Sequence, residues 1–204
     1  MLSQKKIPVF PEYSKTIDQL IPFGWMIDNS ISGDFNNDSL IDIAIVSSVR
    51  DRSSGYILNR YLIIALKISD DKFQLNLTSN KIFGNNEWGL QGNDPFDELN
   101  YADNKLNVKF FTGGTLHFSY IYSFILENST WVLSDYFVEE YDIFNVDQNG
   151  NIIDYCITEF DLLNKQRTKY DIKNGTKTNI ERVYFNVGKI SLQEIDATGG
   201  MDWE

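Results

Sequence analysis

Beyond residue 21, apolar residues fall in short runs at the two-residue period of a pleated strand, and helical spacing is weak. Ile41 to Val46 is mostly apolar and β-branched, the composition of a strand covered on both faces. Tyr56 to Ile68 and Lys72 to Thr78 predict a hairpin turning at Ser69-Asp70-Asp71. A second hairpin, Lys105 to Thr112 with Thr115 to Glu127, turns on Gly113-Gly114; in its returning strand Leu116, Phe118, Tyr120, Tyr122 and Phe124 share a face. Glu127-Asn128-Ser129-Thr130 then turns into a strand from Trp131 to Phe144. Asn149-Gly150 and Asn174-Gly175 are hairpin signals, because both residue types accept positive φ. Only residues 13–20 read as a short helix, stopping before Pro22. The expectation is a mainly β fold, an antiparallel sandwich or open barrel of about ten strands with one short N-terminal helix. The chain has no repeat of fixed period, which argues against a solenoid or a full propeller. With no proline-, glycine- or serine-rich linker, it reads as a single domain over 1–204, with an N-terminal arm over 1–12 and a fraying tail over 197–204.

Charge narrows the function classes. The 204 residues carry 18 Lys and Arg against 29 Asp and Glu, a net charge of −11 and a pI near 4.5. Such a surface repels phosphate backbones and anionic lipid, so the reading is no nucleic acid and no membrane insertion, with a basic protein or a divalent cation as better partners. Cys156 is the single cysteine, which rules out an internal disulfide and fits a reducing compartment. Met1 to Pro8 has two lysines but no apolar signal-peptide core, and no apolar run is long enough to span a bilayer. As it stands the chain reads as cytoplasmic; periplasm or cell envelope is the alternative if a leader has been removed.

Catalytic constellations are sparse. His117 is the only histidine, and it alternates with the apolar face of its strand, so it is expected at solvent or a polar rim. A His-rich zinc site is impossible, and no second Ser-His-Asp or Cys-His candidate exists. Cys156 is expected as a buried, inert thiol in Asp154-Tyr-Cys-Ile-Thr. Neither phosphate-binding glycine pattern occurs. A carboxylate-pair hydrolase is the third reading, although no spacing selects a pair.

One segment carries specific chemistry: Gly33-Asp34-Phe35-Asn36-Asn37-Asp38-Ser39-Leu40-Ile41-Asp42. Oxygen side chains fall at Asp34, Asn36, Asp38 and Asp42, loop positions 1, 3, 5 and 9, and the carbonyl of Leu40 stands at position 7. Calcium takes about 6–8 oxygens in flexible geometry, which suits this set better than magnesium's strict octahedron. The loop is no EF-hand: position 12 is Ile45, and a strand follows instead of a helix. Ser39 stands where such loops place glycine, at some backbone cost. The plainer alternative is an Asx-turn, since Asp and Asn side chains bond their own backbone. Asp147-Gln148-Asn149-Gly150-Asn151 begins in the same way, but Asp154 is one position out of register, so a hairpin turn is expected there.

The aspartate spacing and its exit into Ile41-Asp42-Ile43-Ala44-Ile45-Val46 resemble the calcium loop of FG-GAP and VCBS-type repeats. Ile21-Pro22-Phe23-Gly24-Trp25 before that loop, with Gly113-Gly114 and Trp131-Val132-Leu133 after it, resembles an uncharacterised bacterial group with a single Gly-Asp-x-Asn-x-Asp loop. The resemblance spans roughly residues 7 to 185 and implies a metal-binding β domain; it says nothing of catalysis.

A second surface is expected around the acidic stretch Asn93 to Glu98, with Trp88, Asp94, Phe96, Asp97 and Tyr101 as partner-contact residues. Two functions follow. The first is a non-catalytic protein-binding module with a calcium-type loop, in the manner of an immunity protein that neutralises a basic toxin. The second is a calcium-dependent bacterial envelope module that binds a glycan or peptide.

Overall fold

The computed structural model describes residues 8–83 and 94–195. The chain divides into two compact units, Met1–Asn80 and Lys81–Glu204. Among the described residues it forms twelve strands in two antiparallel sheets.

The first unit holds β1 (Tyr13–Ser14), β2 (Met26–Gly33), β3 (Asp42–Arg50), β4 (Ile57–Ser69) and β5 (Lys72–Ser79). Their order in the sheet is β1-β5-β4-β3-β2. Every residue from Asp42 to Ser48 is buried, as the unbroken β-branched run predicts. One face packs Ile43, Ile45, Ile63 and Ala65 with Leu20, and Phe10, Ile21, Tyr61, Phe73 and Leu75 close around them. Each fully buried isoleucine contributes about 1.5–3 kcal/mol, so this cluster is a substantial anchor for β3.

The second unit is a seven-stranded meander of β6 (Phe96–Ala102), β7 (Lys105–Gly113), β8 (Leu116–Glu127), β9 (Thr130–Asp142), β10 (Asp154–Asp161), β11 (Gln166–Lys173) and β12 (Thr176–Tyr184). Aromatic rings run across it from strand to strand. Phe110 meets Tyr122 at 5.8 Å between centroids, Tyr122 meets Tyr136 at 4.7 Å, and Tyr136 meets Phe160 at 5.5 Å. Aromatic pairs in this range add about 0.5–1.5 kcal/mol beyond their burial. Burial, the largest cause, pushes the Tyr122 hydroxyl up to about 12 and raises that of Tyr136 as well, so both hold their protons in the folded chain.

One expectation is corrected. The segment 13–20 is no α-helix: it makes β1 and then a single 3₁₀ turn, Ile17–Leu20. Thr16 is extended and offers no side-chain cap, and Ile21 before Pro22 is extended, so the turn has no room to propagate. Both sheets are open: β1 and β2 are the edges of one, β12 and β6 of the other.

Candidate functional site

The aspartate loop links β2 to β3, and β3 begins on its last acidic residue, Asp42. Phe35 is buried, which pins the loop's start. Asn37 and Ser39 adopt φ of 59° and 69°, so the serine takes the left-handed turn that glycine would take without strain.

Inside this turn the oxygens meet backbone N–H groups. Asp38 N–H donates to Asp34 Oδ1 at 3.0 Å and Ser39 N–H to Asp34 Oδ2 at 2.9 Å. Asp38 N–H also reaches Asn36 Oδ1 at 3.1 Å, and Leu40 N–H reaches Asp38 Oδ1 at 2.8 Å. The Asn36 amide donates to Asp38 Oδ2 at 2.8 Å. Asp42 is fully buried and accepts from two directions: Phe35 N–H at 2.8 Å and Lys67 N–H, on β4, at 2.7 Å. Burial raises the Asp42 carboxyl above its usual range; those two N–H bonds oppose the rise, and the charges of Asp38 and Asp34 add to it.

The donor set fits a hard cation in kind: three carboxylates, one amide and the Leu40 carbonyl, without nitrogen or sulfur. In arrangement it is a self-bonded turn. Among the described residues, no three His, Cys, Asp or Glu side chains converge as a metal-holding group. Asp42 nevertheless feels the charges of Asp38 and Asp34. A carboxylate oxygen has two lone pairs, so accepting one N–H leaves capacity for a cation.

The predicted partner surface is dispersed. Trp88 lies outside the described residues. Asp94 Oδ1 accepts from Phe96 N–H at 3.1 Å, and Asp97 pairs with Lys109 at 2.8 Å. The Phe96 ring turns inward, edge-on to Phe83 at 5.6 Å and near Phe110 at 6.2 Å, so it packs the second unit. Tyr101 stands toward the other end of β6, opposite Leu106.

The remaining candidates resolve by contact. His117 is half-buried, edge-on to the rings of Phe111 at 4.9 Å and Tyr141 at 5.4 Å. Cys156 is half-buried, and burial raises its thiol, which keeps it from being a ready nucleophile. Asp147 forms the expected turn: its Oδ1 accepts from Asn149 N–H at 2.8 Å and Asn151 N–H at 2.9 Å.

Sequence reasoning missed two features. Asp28, at a bulge in β2, gathers Ser48 Oγ at 2.9 Å, Arg50 at 3.2 Å and the buried Arg60 at 3.0 Å; the partners lie 20, 22 and 32 residues away, so no local pattern flags them. The other was legible as a count. Residues 110–164 contain nine Asp and Glu and no Lys or Arg; the segment includes β8, β9 and β10, adjacent strands of the seven-stranded sheet, which bear eight of the nine, and Asp147 lies between β9 and β10. Of those nine, Glu127 pairs with Lys189 and Asp135 with Lys105; the others form no salt bridge among the described residues.

Compared with protein-family models, curated proteins and solved structures, the chain matches none. Among the described residues, no helix is long and apolar enough to cross a membrane.

Proposed function

We propose that this chain is a non-catalytic binding protein whose partner is a basic protein, as when an acidic inhibitor neutralises a cationic toxin. One observation carries the reading: three adjacent strands and their connections, drawn from residues 110–164, bear nine carboxylates and no lysine or arginine. A one-sign field of this kind raises encounter rates with an oppositely charged protein and rejects like-charged ones. The packing of His117 between two rings and the raised Cys156 thiol support a binding role over a catalytic one. In this reading loop 34–42 takes calcium as a brace at the start of β3, supported by its oxygen-only donor set and by the charges of Asp38 and Asp34 acting on Asp42.

The test is capture by the full chain from an extract of its source cells at low salt, followed by reconstitution with the purified captured protein. The expected result is a stoichiometric complex with a basic protein, weakening steeply as salt rises. An acidic captured protein, or none in stoichiometric amount, rejects the reading.

A further inference from the structure

One end of the seven-stranded sheet leaves apolar side chains in solvent. The β7–β8 hairpin tip and the connection from β9 to β10 meet there: Leu116 lies opposite Asp142, and Ile143 N–H donates to Thr115 carbonyl at 3.1 Å. Phe144 is 75% exposed, and Leu116 and Val146 are also exposed. Phe144 is not loose: its N–H is held by Asp142 Oδ1 at 2.9 Å, and Val146 bridges to Ile152. An exposed aromatic on an ordered backbone is already positioned for contact, which lowers the ordering cost of binding. On the Leu116 face stand Asp142, opposite Leu116, and Glu140, opposite Phe118, and Asp147 follows Val146 in the chain; none of the three is in a salt bridge among the described residues.

We propose that this sheet end, centred on Phe144 and Leu116, is the docking surface for a cationic polypeptide segment that carries an apolar or aromatic side chain. The inference rests on the basic-partner reading and gives it a location. Charge complementarity selects the occupant. A second copy would bring the same carboxylates against themselves, and nucleic acid or anionic lipid would meet the same repulsion. A basic segment matches the acidic surround, and its apolar residue covers the exposed ring; an apolar centre within a charged rim is where binding energy concentrates.

The test uses the full chain and two labelled synthetic peptides of equal length and charge, one alternating lysine with leucine and tryptophan, the other alternating lysine with glycine. Binding is read by fluorescence anisotropy at low and raised salt. The amphipathic peptide should bind at least about tenfold more tightly, a difference of about 1.4 kcal/mol. Phe144→Ser combined with Leu116→Ser should remove that advantage, and Glu140→Gln should weaken both peptides and flatten the salt dependence. All three positions are at least partly solvent-facing, and an unchanged melt would verify folding. Equal binding of the two peptides, or an advantage that survives the serine variants, overturns the surface. The basic-partner reading is judged separately, by the captured protein: a basic partner whose complex is untouched by the serine variants keeps that reading and rejects this location.

Discussion

Asp42 concentrates the physical tension of the loop, because it is a carboxylate removed from water with two other carboxylates near it. Its two N–H donors come from opposite directions in sequence, Phe35 seven residues before and Lys67 twenty-five after. Asn at this position keeps an acceptor for one of them only, so Asp42→Asn should cost about 1–3 kcal/mol, read from the urea midpoint. The pH dependence distinguishes the two readings of the loop. A folded-state carboxyl raised above its ordinary 3.8 holds its proton longer than in the unfolded chain. In chelator, its contribution is present below that ordinary value and is lost as pH rises through the folded one. A bound divalent ion favours the charged form, reverses that sign, and adds about 2.7 kcal/mol at a hundredfold excess over Kd. Melts across pH in millimolar calcium and in chelator should therefore diverge as pH rises. Asp34→Ala or Asp38→Ala should abolish the divergence, and Asp154→Ala should not. Superimposable curves remove calcium from the proposal and leave the Asx-turn. The sequence displayed the oxygens and their spacing; it concealed where their lone pairs point, because Lys67 N–H reaches Asp42 only after β3 and β4 have paired.

Turn chemistry explains most of what was readable among the elements. Asn174 and Gly175 both take positive φ, 48° and 75°, and join β11 to β12 as an Asn-Gly pair does. Gly113 is the stricter case: at φ of 121°, a Cβ would lie 2.1 Å from the Leu116 carbonyl oxygen and 2.7 Å from His117 Cα. Both obstacles are backbone, so the hairpin itself must shift. Gly150 also has positive φ, 84°, but a Cβ there meets nothing within 4 Å. Gly113→Ala should thus lose clearly more than the roughly 1–2 kcal/mol of left-handed strain expected at Gly150→Ala, and denaturant midpoints compare the two directly. Equal losses would mean that the tip relaxes freely and that the close approach is not restraining β7 and β8. The misread helix shows the limit of local pattern. Ile17 and Leu20 have plausible helical spacing, yet Leu20 is spent on the Ile43–Ile63 cluster while Tyr13 and Ser14 pair with Gln74 and Phe73. That partner strand lies some sixty residues further on, and nothing in the N-terminal segment announces it.

Charge acts over the whole molecule, and here it is uneven. The net charge is −11, and eight carboxylates lie on β8, β9 and β10, which contain no lysine or arginine, so folding brings together carboxylates that the unfolded chain keeps apart. Opposing this repulsion are ion pairs. Lys105–Asp135, Lys109–Asp97 and Arg167–Glu181 have side chains about a third exposed or more on at least one partner, the range in which pairs are worth about 0–1 kcal/mol each. Asp28–Arg60 is the buried exception, with side chains 10% and 6% exposed, and is the least screened by salt. Salt should therefore relieve more repulsion than it removes attraction. Raising sodium chloride from about 10 mM to about 100 mM shortens the screening length from about 30 Å to about 10 Å. The melting temperature in chelator should rise over that interval, and Glu139→Gln with Glu140→Gln should reproduce part of the rise at low salt. A melting temperature that falls instead would mean the exposed pairs outweigh the carboxylate excess. The acidic strands would then be a balanced surface rather than one poised for a cationic partner, and the steering argument for this protein's function would lose its footing.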